Sequence, residues 1–177
     1  GSWDGLDAEG KLAARLKGVD DLTQHGCWDP NEVLTRIDAR RTGCLVFDAH
    51  WVDKAKWDEL SQSIIGRSRW TPHGYQQYLE KLRTQSPTAA LLSHVFIEVY
   101  GRHKNWVGFR YDISSAFFQG DEFGEETEPV YLKVPKEEEE RLGLPFVKGG
   151  YVRRLWKEIP GTKGAPRAFY DVLVRGV

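Results

Sequence analysis

The chain has 177 residues, enough for one sizeable domain or two small lobes, and carries 25 Lys and Arg against 26 Asp and Glu for a net charge of -1. That balance does not by itself mark a nucleic-acid binder, so any such role must rest on local patches. No apolar run approaches membrane-spanning length and no secretory signal is visible, while Cys27 and Cys44 lack a Cys-x-x-Cys spacing and cannot build a disulfide framework, which points to reduced thiols in an intracellular protein.

There is no methionine, and the opening Gly-Ser reads as a cloning remnant on an excised or processed piece. Along the chain, Leu6, Leu12, Leu16 and Val19 recur at loosely helical spacing, interrupted by Gly10. In "DPNEVLTRIDARRTG" a helix is predicted, with Asp29 as cap, Pro30 in its first turn and Gly43 as its stop. "CLVFDAHWVDKAK", residues 44–56, is strand-like, and "IIGRSRWTP" reads as its returning partner in a hairpin. The clearest helix is "SPTAALLSHVFIEVYG", 86–101: Ser86 suits the N-cap, Pro87 the first turn and Gly101 the position past the end. Its Leu91, Leu92, Val95, Phe96 and Val99 form one broad apolar face. "NWVGFRYDI" is then a predicted strand ending on Asp112, followed by short strands at "PVYLKVP" and "YVRRLWKEI" and a last helix at "APRAFYDVL". The order of elements predicts a mixed α+β fold with a mainly antiparallel sheet and packed helices.

Charge is unevenly spread. Five acids and no base lie between Asp121 and Glu128, and Lys148 to Arg175 holds seven bases against two acids. Such runs are ordinarily solvated faces, but in "PGTKGAP" the bases interleave with glycines that let a backbone approach a ligand. Asp112, in "FRYDISSAFFQGDE", is read in two ways: an exposed acid at a strand end, or a metal-binding carboxylate on a rigid strand. The five histidines show no metal-ligand spacing, and the seven tryptophans read as packing residues, with Trp70 beside Arg69 as a candidate for base stacking.

Several stretches, in order, resemble the reverse transcriptase of copia-type LTR retrotransposons. "YDISSAFFQGD" is similar to that family's first catalytic box, Asp-Val-x-x-Ala-Phe-Leu-x-Gly after a hydrophobic residue. "LWKEIPGTKGAPRAFYDVL" is similar to its downstream Leu-Tyr-Gly-Leu-Lys-Gln box, and "PVYLKVPKE" to its Val-Tyr-Met-x-x-Pro segment. "LTQHGCWD", "HWVDKAK" and "GRSRWTPHGYQQ" are similar to its upstream elements, so the match runs from about Leu22 to Leu173.

The resemblance implies a polymerase right hand, of which residues 1–43 form a helical lead-in, 44–108 a fingers-like segment with the first palm helix, and 109–177 a partial palm with inserted fingers strands. It implies that Asp112 is the catalytic metal ligand for Mg²⁺, with the backbone carbonyl of Ile113 beside it. Phe117 falls where an aromatic ring excludes a 2′-hydroxyl, although Phe117 and Phe118 also read as a pair alternating into a core; for Phe118 the core reading is preferred. Arg69 matches a triphosphate-holding Arg, Gly161 and Lys163 a nucleotide-binding loop, and Gly164 and Arg167 a nucleic-acid contact; Lys54 and Lys56 are lesser candidates. Pro160 stands where the family has Tyr, and Thr162 replaces Leu, so "PGTKGAP" reads alternatively as a plain Pro-Gly turn.

The implied partners are an RNA or DNA template-primer, a deoxynucleoside triphosphate, and a further chain covering palm surface near Phe169 and Tyr170, with no membrane. The family's Tyr-x-Asp-Asp box does not occur in these 177 residues, which implies a portion inactive on its own. The alternative expectation is a domesticated retroelement-derived module that binds nucleic acid or serves as a structural subunit.

Overall fold

The computed structural model describes residues 2–77, 84–86, 90–109 and 112–176. Helix α1, Ala8–Gln24, starts where the Asp7 carboxylate accepts the Gly10 N–H at 2.7 Å. Ala14, Gly18, Val19 and Leu22 fall on one face and are buried. That face lies across a ten-residue antiparallel ribbon made of β3, Ala49–Asp58, and β4, Ser63–Pro72. Contact is backbone-close: a Cβ at Gly18 would sit 2.5 Å from the Ser68 carbonyl oxygen. The glycine that weakens α1 as a helix is thus what lets it reach β4.

A four-stranded sheet forms the other layer, in the order β1 (Leu34–Thr35), β6 (Tyr151–Leu155), β5 (Val130–Lys133), β2 (Leu45–Phe47). Only the β2–β5 pair is parallel, with Leu45 opposite Val130 and Phe47 opposite Leu132. The described residues thus form a mixed α+β fold with antiparallel-rich sheets and five α-helices. The main core joins Val19, Leu22, Cys27 and Trp28 to Phe47, Leu132, Leu155 and Ile159, so the first 43 residues share it with the sheet.

The predicted helix from Asp29 begins later. Asp29 instead accepts the Asn31 N–H at 2.8 Å in a turn, Leu34–Thr35 pairs with β6, and Thr35 caps α2, Arg36–Arg41. Pairing with β6 outweighs the local helical signal. The predicted 44–56 strand is cut at Asp48, where the chain leaves the sheet for the ribbon. Arg36 clamps Asp48 through both carboxylate oxygens at 2.5 and 2.8 Å, and Asp48 donates its backbone N–H to Gln76 Oε1 at 2.8 Å.

Helix α3, Leu91–His103, begins at Ala90, not Ser86, and residues 87–89 lie outside the described residues. Nor does it stop at Gly101. Asn105, at φ 54°, takes the left-handed position; its N–H reaches the Arg102 carbonyl at 3.1 Å, and the Trp106 N–H reaches Gly101 at 2.8 Å. This is a Schellman motif, with Trp106 packed edge-on against Tyr100. It consumes the start of the predicted strand at 105–113: residues 106–109, 112 and 113 are irregular, and 110 and 111 lie outside the described residues. The apolar face of α3 is exposed, with Leu91 at 78 % and Phe96 at 68 %.

The acidic run "KEEEER" is α4, Lys136–Arg141, and it is not wholly a solvated face. Glu138, 2 % exposed, pairs with Arg153 of β6 at 3.1 Å and with Arg141 at 2.6 Å. Arg153, counted in sequence with the basic run, is itself 3 % exposed, lies over the Trp28 ring and donates to the Pro30 carbonyl at 3.2 Å. Replacing Glu138 with Ala leaves Arg153 buried without its counter-charge, so a loss of about 3–5 kcal/mol is expected, read as a fall in the urea midpoint.

The Asp48 clamp sets an acid limit. Arg36 first of all, with Gln76 and Lys133 assisting, holds the Asp48 carboxyl down from 3.8 to about 2 against the opposing effect of burial. Its contribution is therefore present above pH 3.8 and lost as pH falls through about 2. Partial exposure of the pair reduces it to about 1 kcal/mol. Asp48→Asn should lower stability by that amount at pH 7, with the gap to the unsubstituted protein closing between pH 4 and 2.

Candidate nucleic-acid interface

Ribbon registry decides which side chains share a face. Because side chains alternate and Lys54 stands opposite Arg67, Val52 opposite Arg69 and Lys56 opposite Ile65, these six lie on one side. The other side carries Trp51, Gly66, Ser68 and Trp70 toward α1 and the core. Trp70, the candidate for base stacking, donates its indole N–H to the Lys133 carbonyl at 2.7 Å and packs on Trp51, which accounts for it as a structural residue.

The outer face holds four bases, Lys54, Lys56, Arg67 and Arg69, all exposed, and none takes part in an ion pair among the described residues. Lys54 and Arg67 are like charges directly across the ladder, an arrangement that costs a fraction of a kcal/mol without an anion nearby. Of the ribbon's acids, Asp53 faces α1 and bonds Arg15 at 2.8 Å, while Asp58, on the same face as Lys56, lies at the tip and accepts the Ser61 N–H at 3.0 Å. Arg67 escaped the reading from sequence; the alternation of Arg67-Ser68-Arg69, once in register with Lys54, is the signal that finds it.

The loop "PGTKG" docks at the base of this ribbon. Gly161 has φ 107°, and a Cβ there would lie 2.5 Å from Thr71 Cγ2; across the same contact, Gly74 faces the Gly161 carbonyl. Lys163 is held by Gln77 twice: its backbone N–H donates to Gln77 Oε1 at 2.8 Å and its Nζ to the Gln77 carbonyl at 3.0 Å. The structure thus brings Gly161 to the strand that carries Arg69, and Lys163 to Gln77 beyond the end of that strand.

The other nominated residues are engaged internally. Gly164 lies against the Glu158 carboxylate. Arg167 pairs with Asp171, its Nε–H donating to Oδ2 at 3.1 Å and its other nitrogen lying 2.8 Å from Oδ1; it also lies over the Tyr170 ring and donates to Gln85 O at 3.3 Å. Both belong to or adjoin α5, Ala165–Arg175.

Asp112 is exposed and irregular, and Ile113 is exposed beside it. After them Ser115, at φ 54°, turns the chain into a single 3₁₀ turn, Ala116–Phe118. Phe117 meets the edge of Phe169 on α5, with ring centroids 6.3 Å apart, while Phe118 packs on the core and stacks on His25 at 4.8 Å. The 116–118 turn is thereby seated on α5. Among the described residues no three His, Cys, Asp or Glu side chains gather within reach of one metal ion. A single carboxylate such as Asp112 does not hold Mg²⁺ against water by itself.

No family model, curated protein or solved structure matches the chain. Among the described residues no helix is long and apolar enough to cross a membrane.

Gly161→Ala combines an unfavourable left-handed φ with a collision at Thr71, so a loss of about 1–3 kcal/mol is expected. Pro160→Ala should stay within about 0.5 kcal/mol of the parent, as an uncrowded loop change does. Parallel urea titrations of the two variants check this.

Proposed function

We propose that the chain is the N-terminal portion of a copia-type reverse transcriptase, fingers and partial palm, and that these 177 residues bind nucleic acid without catalysing polymerisation. The carrying observation is the outer face of the β3–β4 ribbon, where four unpaired bases line up beside the docked Gly161 loop. A row of cations on a two-stranded ribbon suits the regular negative charge of a phosphate backbone, which offsets the like-charge cost that the bare ribbon carries. The ordered sequence boxes from Leu22 to Leu173 give the family, and the seating of Phe117 on Phe169 is in keeping with two boxes that serve one site.

In this reading Arg69 and Lys163 lie toward the phosphates of an incoming nucleotide, and Lys54, Lys56 and Arg67 follow the template. Mg²⁺ would be shared by Asp112 with carboxylates that the family places in its Tyr-x-Asp-Asp box, a motif not found in this sequence.

The test is fluorescence anisotropy with a labelled RNA template annealed to a DNA primer. Binding should weaken with salt at a log–log slope of about -2 to -3, since each of the three template contacts contributes about 0.7–0.9. Lys54→Glu with Arg67→Glu should weaken binding more than tenfold, and Asp112→Ala should leave it unchanged in the absence of Mg²⁺. Binding that ignores the charge reversal, or no binding at low salt, would sink the proposal.

A further inference from the structure

A cavity of about 770 Å³ lies between β2, β5, β6, the 121–129 loop and α5. It is separate from the cationic face of the ribbon, and its size is in the range that holds a small organic molecule. Leu45, Phe47, Phe123, Val130 and Leu155 give it an apolar wall. The charged groups are acidic: Asp121, Glu126, Glu128, Glu158 and Asp171 against the single base Arg167. Two of these acids are already matched, Asp171 by Arg167 and Asp121 by Arg175. Glu126 and Glu128, exposed at the rim, and Glu158, in the wall, are matched by no ion pair among the described residues.

Glu158 is the telling residue, because it is only 7 % exposed. Its Oε1 accepts the Gln77 side-chain N–H at 3.0 Å, but its Oε2 has no hydrogen-bond partner. The nearby Thr162 hydroxyl has one hydrogen to give and donates it to the Ile159 carbonyl at 2.8 Å. Burial pushes the Glu158 carboxyl up, against the smaller opposing pulls of Thr162 and Gln77. A buried carboxyl with one oxygen unsatisfied and no counter-charge is costly to keep, and a cation with N–H donors is what relieves it.

We infer that this cavity binds an organic ammonium ion with an apolar or aromatic body, its N–H groups directed at Glu158 and its body against Phe47 and Phe123. Phosphates and carboxylates are repelled by three unmatched acids. A bare metal ion is a poor fit, since no three potential ligands converge among the described residues and the wall is apolar. The Glu158 oxygen is reached by rotating the carboxyl group toward the cavity, because Oε2 as placed is closed off from solvent.

The experiment is calorimetric titration of the chain with 2-phenylethylamine, alongside 3-phenylpropionate and MgCl₂. Saturable binding of the amine with neither of the other two is expected. Glu158→Gln, close to isosteric and still able to accept from Gln77, should weaken the amine at least tenfold. Thr127→Trp, on the exposed rim, should close the cavity and weaken it similarly without touching the core. The ribbon variant Lys54→Glu with Arg67→Glu should leave amine binding intact, so failure here and failure of nucleic-acid binding read out separately. The inference is overturned if amine and acid bind alike, if the amine binds Glu158→Gln as well as the parent, or if it does not bind at all.

Discussion

One buried ion pair ties together the parts of this molecule that the chain order keeps apart. Glu138 on α4 meets Arg153 on β6, and Arg153 in turn lies over Trp28 and holds the Pro30 carbonyl. Arg141 extends the link from Glu138 to Asp20 on α1 at 2.8 Å. The lead-in helix, the turn after it, the acidic helix and a central strand are thus fixed to one charged centre. Such pairs give up much of their Coulomb attraction to desolvation; what this one does is position α4, with Glu138 against Arg153 of β6 and Arg141 against Asp20 of α1.

Much of this was legible in sequence where the signal is local. The ribbon, β5, β6 and α5 fall where alternation, prolines and the Ala-Pro start place them. What could not be read was settled by tertiary partners. Leu34–Thr35 is strand because β6 is there to pair with, and Asp48 ends a strand because Arg36 waits on α2. Glu138 looked like any other acid in a run of four, since nothing in "KEEEER" says which one turns inward. Asn105 hid the true end of α3, because Gly101 is the more obvious stop.

The candidate site divides the same way. Arg69 and Gly161 were nominated from the sequence, but Arg67 needed the hairpin register and Gln77 needed the fold, being the residue that holds Lys163 from another segment. Lys163 and Arg167 show the limit of reading bases by composition: Lys163 spends one of its three ammonium donors on the Gln77 carbonyl, and Arg167 is tied to Asp171 and the Gln85 carbonyl. The near-neutral total conceals local patches, with four exposed bases on the outer face of the ribbon and five acids against one base around the cavity. Long-range attraction of a polyanion depends on that local field more than on the sum.

The exposed face of α3 has a consequence for the local energetics of the chain. A helix of 13 residues with its apolar side chains in water draws little from packing and is left with its own propensity, which at that length is marginal. Its amides should therefore exchange with deuterium through opening of that helix alone, long before those of β5 and β6, whose exchange must wait for the whole core to open. Helix α3 accordingly sits at the low end of the stability scale, in the same chain as a core at the high end.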